Sequence, residues 1–441
     1  MNPLTFTWYP PKHLSHRRPW RNFLSWGGLF GAALILLVCN LDGTPLLPQE
    51  LVLAQVAQET TQMPFWSGDW LFPTLQGQAY HQQPFLGLLC LAIATHWGGV
   101  DGWMIRLPGA ILAAVSVPLL YGLAREIFAS WLGALFSALI YLTLFPVIYW
   151  GRLALLDGLV LFWVILTVFL GLRSRRDFRW SLGLGLSLTG LSLTQGLIGL
   201  LLGAVLLIFL AWDTPRLLSC GYFVLGVILG VFPALTWYWM QWLVYGQPAI
   251  QALLWPEMAL DGGNVWPRLG FYPLAVLTSA WPWLIFALPG GKLAWQSLTW
   301  GWAKLILVWG GGYLGMICLL PLAQISYLLP FYPPLALAAG MMLNELSHWP
   351  DNHPYPQWWS LILYSLSGGF SLLGLSIFLN FSLDFTLLLD RSSLLLTLGA
   401  ISLTFAVTAF LINRRNPQFM AILFWGMYVC LALFIRSAVI Y

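Results

Sequence analysis

Three stretches of the chain place polar side chains where chemistry could follow. In 46-LLPQELVLAQVAQE-59, Gln49 and Glu50 open a segment whose Leu51, Val52, Leu53, Val56 and Ala57 are spaced for one buried helix face. A carboxylate there can serve acid/base work, or simply favour the positive end of the helix dipole. In 151-GRLALLDGLVLFW-163, Arg152 and Asp157 open an apolar run. Charges near hydrocarbon are costly and point to function or to a structural ion pair. Five residues apart, the two are not helical neighbours by i,i+4 spacing. In 324-QISYLLPFYPPLALAAG-340, Pro330, Pro333 and Pro334 interrupt helical bonding. The freed carbonyls either line a cavity or find partners in a kinked helix start.

The elements that carry these residues follow from composition. Hydrophobic residues are 59% of the chain, charged residues 8%, and mean hydropathy is +0.79, against about 25% charged in soluble domains. The class is all-α and polytopic. A bilayer core needs about 20 apolar residues per helix. Spans are expected at 23–40, 105–125, 129–149, 153–172, 180–193, 196–212, 218–242, 271–290, 303–321, 327–345, 358–380, 393–413 and 419–437, about 13 in all. The apolar stretch 84–97 is too short and is expected to lie at the interface.

Charge fixes the expected orientation. With 84–97 at the surface, 14 of the 19 Lys and Arg fall on the cytoplasmic side, leaving Arg106, Arg152, Arg268, Arg391 and Arg436 outside. If 84–97 spans, the split becomes nine inside and ten outside, so the first arrangement is preferred. Lys12, Arg17, Arg18 and Arg21 then flank a retained first helix on the cytoplasmic side, with no small-residue cleavage site after it. Outer segments 41–104 and 243–270 are expected to hold juxtamembrane helices, and 346–441 to form a C-terminal set of helices after a core at 1–345. The five Cys and six His show no metal-ligand spacing, so no metal site is expected from them; no cofactor or nucleic acid is expected, and a divalent-metal requirement is left open.

Several stretches in order resemble one family. They are LVLAQVAQE, GDWLFPTLQGQAYHQQP, DGWMIRLPGAILAAVSVPLLYGLAREIF, GRLALLDG, LTQGLIGLLLGA, DTPRLL and YLLPFYPPLALAAG. Over about 30–345 the chain is similar to the family 39-type membrane glycosyltransferases of the C-type fold, the group of the protein O-mannosyltransferases and lipid A aminoarabinose transferases. The bacterial, cyanobacterial-looking branch is the best match. The resemblance implies transfer of a sugar from a polyprenyl-phosphate carrier to a lipid, glycan or protein acceptor at the outer face of the plasma membrane.

Where the family carries Asp-Glu, this chain has Gln49-Glu50. Its Lys-Pro is here Gln83-Pro84, preceded by Gln82; its Lys-Gly is Gln195-Gly196; and Gln324 stands before Tyr-Leu-Leu-Pro. Glu50, Tyr80, Arg152, Asp157 and Tyr327 are retained. By the resemblance, Glu50 takes the place of the missing Asp, Asp157 positions the acceptor, and Arg152 is the nearby cation. Gln49, Tyr80, Gln82, Gln83, Gln195, Gln324 and Tyr327 complete the substrate contacts. Glutamine hydrogen-bonds but holds neither charge nor proton near neutral pH. Weak or lost activity is therefore one expectation, and a lipid- or polyprenol-binding scaffold on the same fold is the alternative.

Overall fold

The computed structural model describes residues 19–64, 67–254, 270–320, 324–349, 354–379 and 391–437. The expected flank residues Lys12, Arg17 and Arg18, and residues 255–269 of the expected outer loop with Arg268, lie outside them.

Nearly everything described is helical. The order is α1 Pro19–Val38, α2 Pro48–Gln62, α3 Phe85–Gly98, α4 Gly102–Ile127, α5 Trp131–Leu142, α6 Phe145–Arg152 and α7 Asp157–Ser174. There follow α8 Trp180–Ser192, α9 Gly196–Asp213, α10 Pro215–Leu218, α11 Gly221–Tyr245, α12 Gln247–Leu254, α13 Phe271–Ser279 and α14 Leu284–Gln296. The chain continues with α15 Gly301–Leu319, whose middle turn is wound as a π-helix, and a 3-10 turn, Ile325–Phe331. Last come α16 Tyr332–Leu346, α17 Gln357–Phe378, α18 Arg391–Asn413 and α19 Phe419–Ser437.

Among the described residues, nine helices are long and apolar enough to cross a membrane, or ten if the bent pair α5–α6 is one span. The other expected spans also fall on helices. Residues 23–40 meet α1, 180–193 meet the 13-residue α8, and 271–290 are divided between α13 and α14. The short stretch 84–97 forms the 14-residue α3.

Without a hydrophobic drive between lipid-immersed helices, close packing of small residues holds them together. At Gly158 on α7 an added Cβ would run into the backbone of Gly109 on α4, so these helices touch main chain to main chain. Large aromatic side chains such as Trp283, Trp309 and Trp359 fill the wider gaps and are completely buried.

The helices define two ends. At one, Arg173 and Arg176 pair with Glu126 (2.9 Å each), and Arg175 (2.6 Å) and Lys304 (3.2 Å) pair with Asp213, tying α4, α7, α9 and α15 together. The opposite end carries α2, α3, the α6–α7 and α8–α9 junctions and the 3-10 turn. A two-residue hairpin, Thr74–Leu75 with Gln78–Ala79, sits there too. Gln76 and Gly77 both have positive φ (53° and 75°), as its tight turn requires. Glu59 at the end of α2 holds this hairpin by accepting from Thr74 Oγ1 (2.8 Å) and the Gln76 amide (2.5 Å).

Candidate functional site

Glu50 is buried completely, at the third position of α2. Oε1 accepts from Arg106 Nε (2.9 Å) and the Ala154 amide (2.8 Å). Oε2 accepts from Arg106 Nη2 (2.7 Å) and the Leu47 amide (2.9 Å). A carboxylate offers about four lone-pair sites, and all are taken. Burial alone would raise its pKa; the bonds from Arg106, Ala154 and Leu47, with the guanidinium charge, outweigh it and hold the group below the ordinary value.

Arg106 is the residue the sequence reading passed over. Beyond Glu50, it donates through Nη1 to Leu41 O (2.8 Å), Thr44 O (2.9 Å) and Thr44 Oγ1 (2.9 Å), and through Nη2 to Pro45 O (3.1 Å). One guanidinium thus fastens the chain after α1, the start of α2 and the start of α4. Its available signal was its position four residues into an apolar helix, where a charge needs a partner. The buried face of α2 comprises Glu50, Leu53, Ala54, Val56, Ala57 and Thr60. Leu51, expected on that face, is 54% exposed because one residue's rotation carries it off the stripe.

Arg152 and Asp157 do not open one span. Arg152 closes α6 and Asp157 begins α7; between them Leu153 is extended and Leu156 has φ 69°. They form no ion pair. Arg152 instead donates to the last carbonyls of α1, Leu36 (2.7 Å) and Leu37 (3.3 Å), and to Asn40 O (2.7 Å). Asp157 is 3% exposed, and its carboxyl has no hydrogen-bond partner among the described residues.

The remaining candidates lie at the same end, on neighbouring segments. Tyr80 is buried in a cluster with Leu53, Leu88, Ala154 and Leu156, which places it beside the start of α7. Burial lifts its phenol to about 12, and its hydroxyl donates to Gln82 Oε1 (3.4 Å). Gln83 precedes Pro84 at the start of α3 and has a buried Oε1 with no partner among the described residues. Three residues on, the Leu86 amide donates to Leu193 O (3.1 Å), bringing this segment against the junction that holds Gln195. Phe85, Leu193, Ala234, Trp237 and Leu253 pack together around that contact. Gln241 on α11 supplies a second buried amide oxygen without a partner.

Tyrosine hydroxyls from neighbouring helices bond carbonyls of the proline-rich turn. Tyr313 donates to Tyr327 O (2.8 Å) and Tyr272 to Gln324 O (3.3 Å). Tyr327 is buried, whereas the Gln324, Gln49 and Gln82 side chains are exposed. Within the proposed set Tyr80 and Gln82 bond directly through their side chains, and the other candidates lie at the same end of the helices. Among the described residues no cluster of His, Cys, Asp or Glu could hold a metal ion.

Comparison with known proteins agrees with this architecture. Residues 82–239 match the dolichyl-phosphate-mannose-protein mannosyltransferase family. An undecaprenyl phosphate-alpha-4-amino-4-deoxy-L-arabinose arabinosyl transferase of Pseudomonas fluorescens is 28% identical over 68% of this chain and 56% of its own length. A protein of the same description from Pseudomonas aeruginosa is 27% identical over 75% of this chain and 61% of its own. The chain thus spans little more than half the length of these relatives. Among solved structures, ArnT from Cupriavidus metallidurans bound to undecaprenyl phosphate superposes with a TM-score of 0.71 at 18% identity, covering 94% of this chain and 77% of that one. The archaeal oligosaccharyltransferase AglB from Archaeoglobus fulgidus gives 0.52 at 12% identity, covering 96% and 57%.

The chain is an all-helical, polytopic membrane protein of the C-type glycosyltransferase fold. Over part of its length it is similar to aminoarabinose transferases and protein mannosyltransferases, as the resemblance of its motifs implied.

Proposed function

We propose that the protein is a membrane glycosyltransferase that moves a sugar from a polyprenyl-phosphate carrier to an acceptor. The two relatives are described as acting with undecaprenyl phosphate-linked aminoarabinose, and a lipid acceptor suits that likeness. The positive-inside distribution supports a plasma-membrane orientation with the Glu50–Asp157 end outward. Residues 1–345 carry the site, and 346–441 contribute accessory helices.

The observation that carries this reading is the division of labour between the two buried carboxylates. Glu50 has no lone pair left to take a proton, so it is a positioning residue that fixes the start of α2 against Ala154. Asp157, three residues beyond Ala154, is the carboxylate without a partner. In the proposed reaction the acceptor hydroxyl attacks the anomeric carbon. The carbon–oxygen bond to phosphate breaks with its electron pair going to the carrier, and the hydroxyl proton passes to Asp157. Tyr80, Gln82, Gln83, Gln195, Gln324 and Tyr327 are proposed to supply neutral contacts to the donor, with Gln49 at the rim. No metal ion is invoked.

Purified protein reconstituted with an undecaprenyl-phosphate-linked aminopentose or hexose and a lipid A-type acceptor tests the proposal. Transfer that is present in wild type and lost in Asp157→Asn supports it. Tight retention of carrier lipid with no transfer from either donor would instead establish the scaffold alternative.

A further inference from the structure

A cavity of about 120 Å³ lies between the C-terminal end of α1, α6 and α19. That is room for several waters or a small anionic group. Its polar wall is Asn40, Thr44 and Arg152, with Arg106 behind them; Phe145, Tyr149 and Phe434 form much of the apolar wall. Tyr80, Gln83, Asp157 and Gln195 are not among its lining residues. Arg152 and Arg106, the partner of Glu50, do line it, so it adjoins the proposed sugar-transfer site, but nothing below depends on that activity.

The two arginines differ in what they have left to give. All five N–H groups of Arg106 are accounted for by Glu50 and the 41–45 backbone. Arg152 uses both hydrogens of Nη1 and one of Nη2 on carbonyls. Its Nε–H and one Nη2–H remain without a partner among the described residues, and no carboxylate there pairs with its charge. Backbone carbonyls satisfy hydrogen bonds but leave the positive charge uncompensated. An arginine in that state, at the membrane end of a helix, calls for an anion.

The apolar wall says what kind. Phe145 stacks on Tyr149 (centroids 5.6 Å) and meets Phe434 edge-on (5.3 Å). Phe145 and Tyr149 are each 39% exposed, on a helix that pairs with α5 as a bent apolar span. A cation in a small pocket beside an exposed aromatic ledge matches a phosphodiester headgroup with its acyl chains attached.

We propose that the α1–α6–α19 cavity binds one anionic phospholipid from the bulk membrane, with its phosphate on the free N–H groups of Arg152 and an acyl chain along Phe145, Tyr149 and Phe434. The lipid completes the seam between α1 and α19.

The full-length protein, reconstituted into phosphatidylcholine nanodiscs containing phosphatidylglycerol, tests this by native mass spectrometry after detergent exchange. Wild type is expected to retain one phosphatidylglycerol and to exchange it for phosphatidylethanolamine at least tenfold less readily than for more phosphatidylglycerol. Arg152→Gln, which keeps donors for the α1 carbonyls but not the charge, is expected to lose that retention tenfold or more. Because that variant can also loosen α1, Leu431→Trp provides a second route: it fills the cavity while leaving every Arg152 bond in place, and should displace the lipid equally. Millimolar inorganic phosphate should not compete, since the ledge contributes to binding. Retention unchanged in both variants would overturn the proposal. So would displacement by free phosphate, or one equivalent of polyprenyl phosphate held there in preference to phosphatidylglycerol.

Discussion

Glu50 and Arg106, 56 residues apart in sequence, meet in a two-pronged ion pair that is almost wholly excluded from solvent, with side-chain exposures of 0% and 3%. The pair joins α2 to α4 beside the apolar cluster in which Leu53 and Val56 of α2 meet Ile105 of α4.

Removing one partner should therefore be far worse than removing both. Glu50→Gln is expected to destabilise the protein by about 3–5 kcal/mol, since it leaves a buried guanidinium uncompensated. Glu50→Leu combined with Arg106→Met should cost less than the sum of the single changes. Unfolding of the purified protein in detergent, measured as a double-mutant cycle, checks this; strict additivity would argue against a coupled pair.

The same pair makes the fold sensitive to acid. The Glu50 carboxyl is lowered from 4.5 in the folded protein, so the folded state favours the ionised form. Its contribution is fully present above 4.5 and is lost as pH falls through the lower folded value. Thermal stability should drop more steeply below pH 4.5 in wild type than in the Glu50→Leu/Arg106→Met variant.

Asp157→Asn separates chemistry from folding. The change is nearly isosteric and breaks no hydrogen bond among the described residues, so melting temperature should stay within a few degrees of wild type. Loss of a general base lowers turnover by roughly 10²–10⁴-fold. Turnover reduced that far at unchanged KM for the donor is the expected pattern. Full activity would remove Asp157 from the mechanism.

Restoring charge where the chain carries glutamine should strengthen its hold on the carrier. Gln83 already has an unpaired buried amide oxygen, and a lysine there exchanges that orphan for a cation. A hydrogen bond to a charged group is worth about 1.5–3 kcal/mol, so Gln83→Lys should tighten polyprenyl phosphate binding roughly tenfold or more. Competition with labelled carrier measures it. The same change at Gln195 should act in the same direction if both contact the phosphate.

The contact of α4 with α7 leaves no room for a methyl group. Gly158→Ala drives Cβ into the Gly109 carbonyl, and overpacking of this kind costs about 1–3 kcal/mol. Because backbone must move, Asp157 beside it should shift as well, giving reduced activity together with reduced stability.

Much of the helical plan was legible because span length and hydrophobicity are local properties. The shortness of α3 could be read from the length of its apolar run. What could not be read was partnership. Nothing in a spacing of 56 residues marks Arg106 as belonging to Glu50. The i,i+4 test applied to Arg152 and Asp157 assumed a continuous helix, and the extended Leu153 and left-handed Leu156 break it. The glutamines at 83 and 195 were visible as departures from a pattern. Their placement against one another rests on the Leu86–Leu193 backbone bond, which no side-chain pattern encodes.

The earliest and latest described helices lean on each other: Asn40 Nδ2 donates to Ile435 O (3.2 Å) and Tyr428 to Ala32 O (3.0 Å), across 395 and 396 residues. At ribosomal speeds of about 5–20 residues per second, α1 waits on the order of 20–80 s in the bilayer before α19 exists to cover it. During that interval Ala32 and Asn40 lack the α19 partners Tyr428 and Ile435. The seam is thus the last part of the nascent protein to close, and the point at which an interrupted translation product would be left open to the quality-control proteases of the membrane.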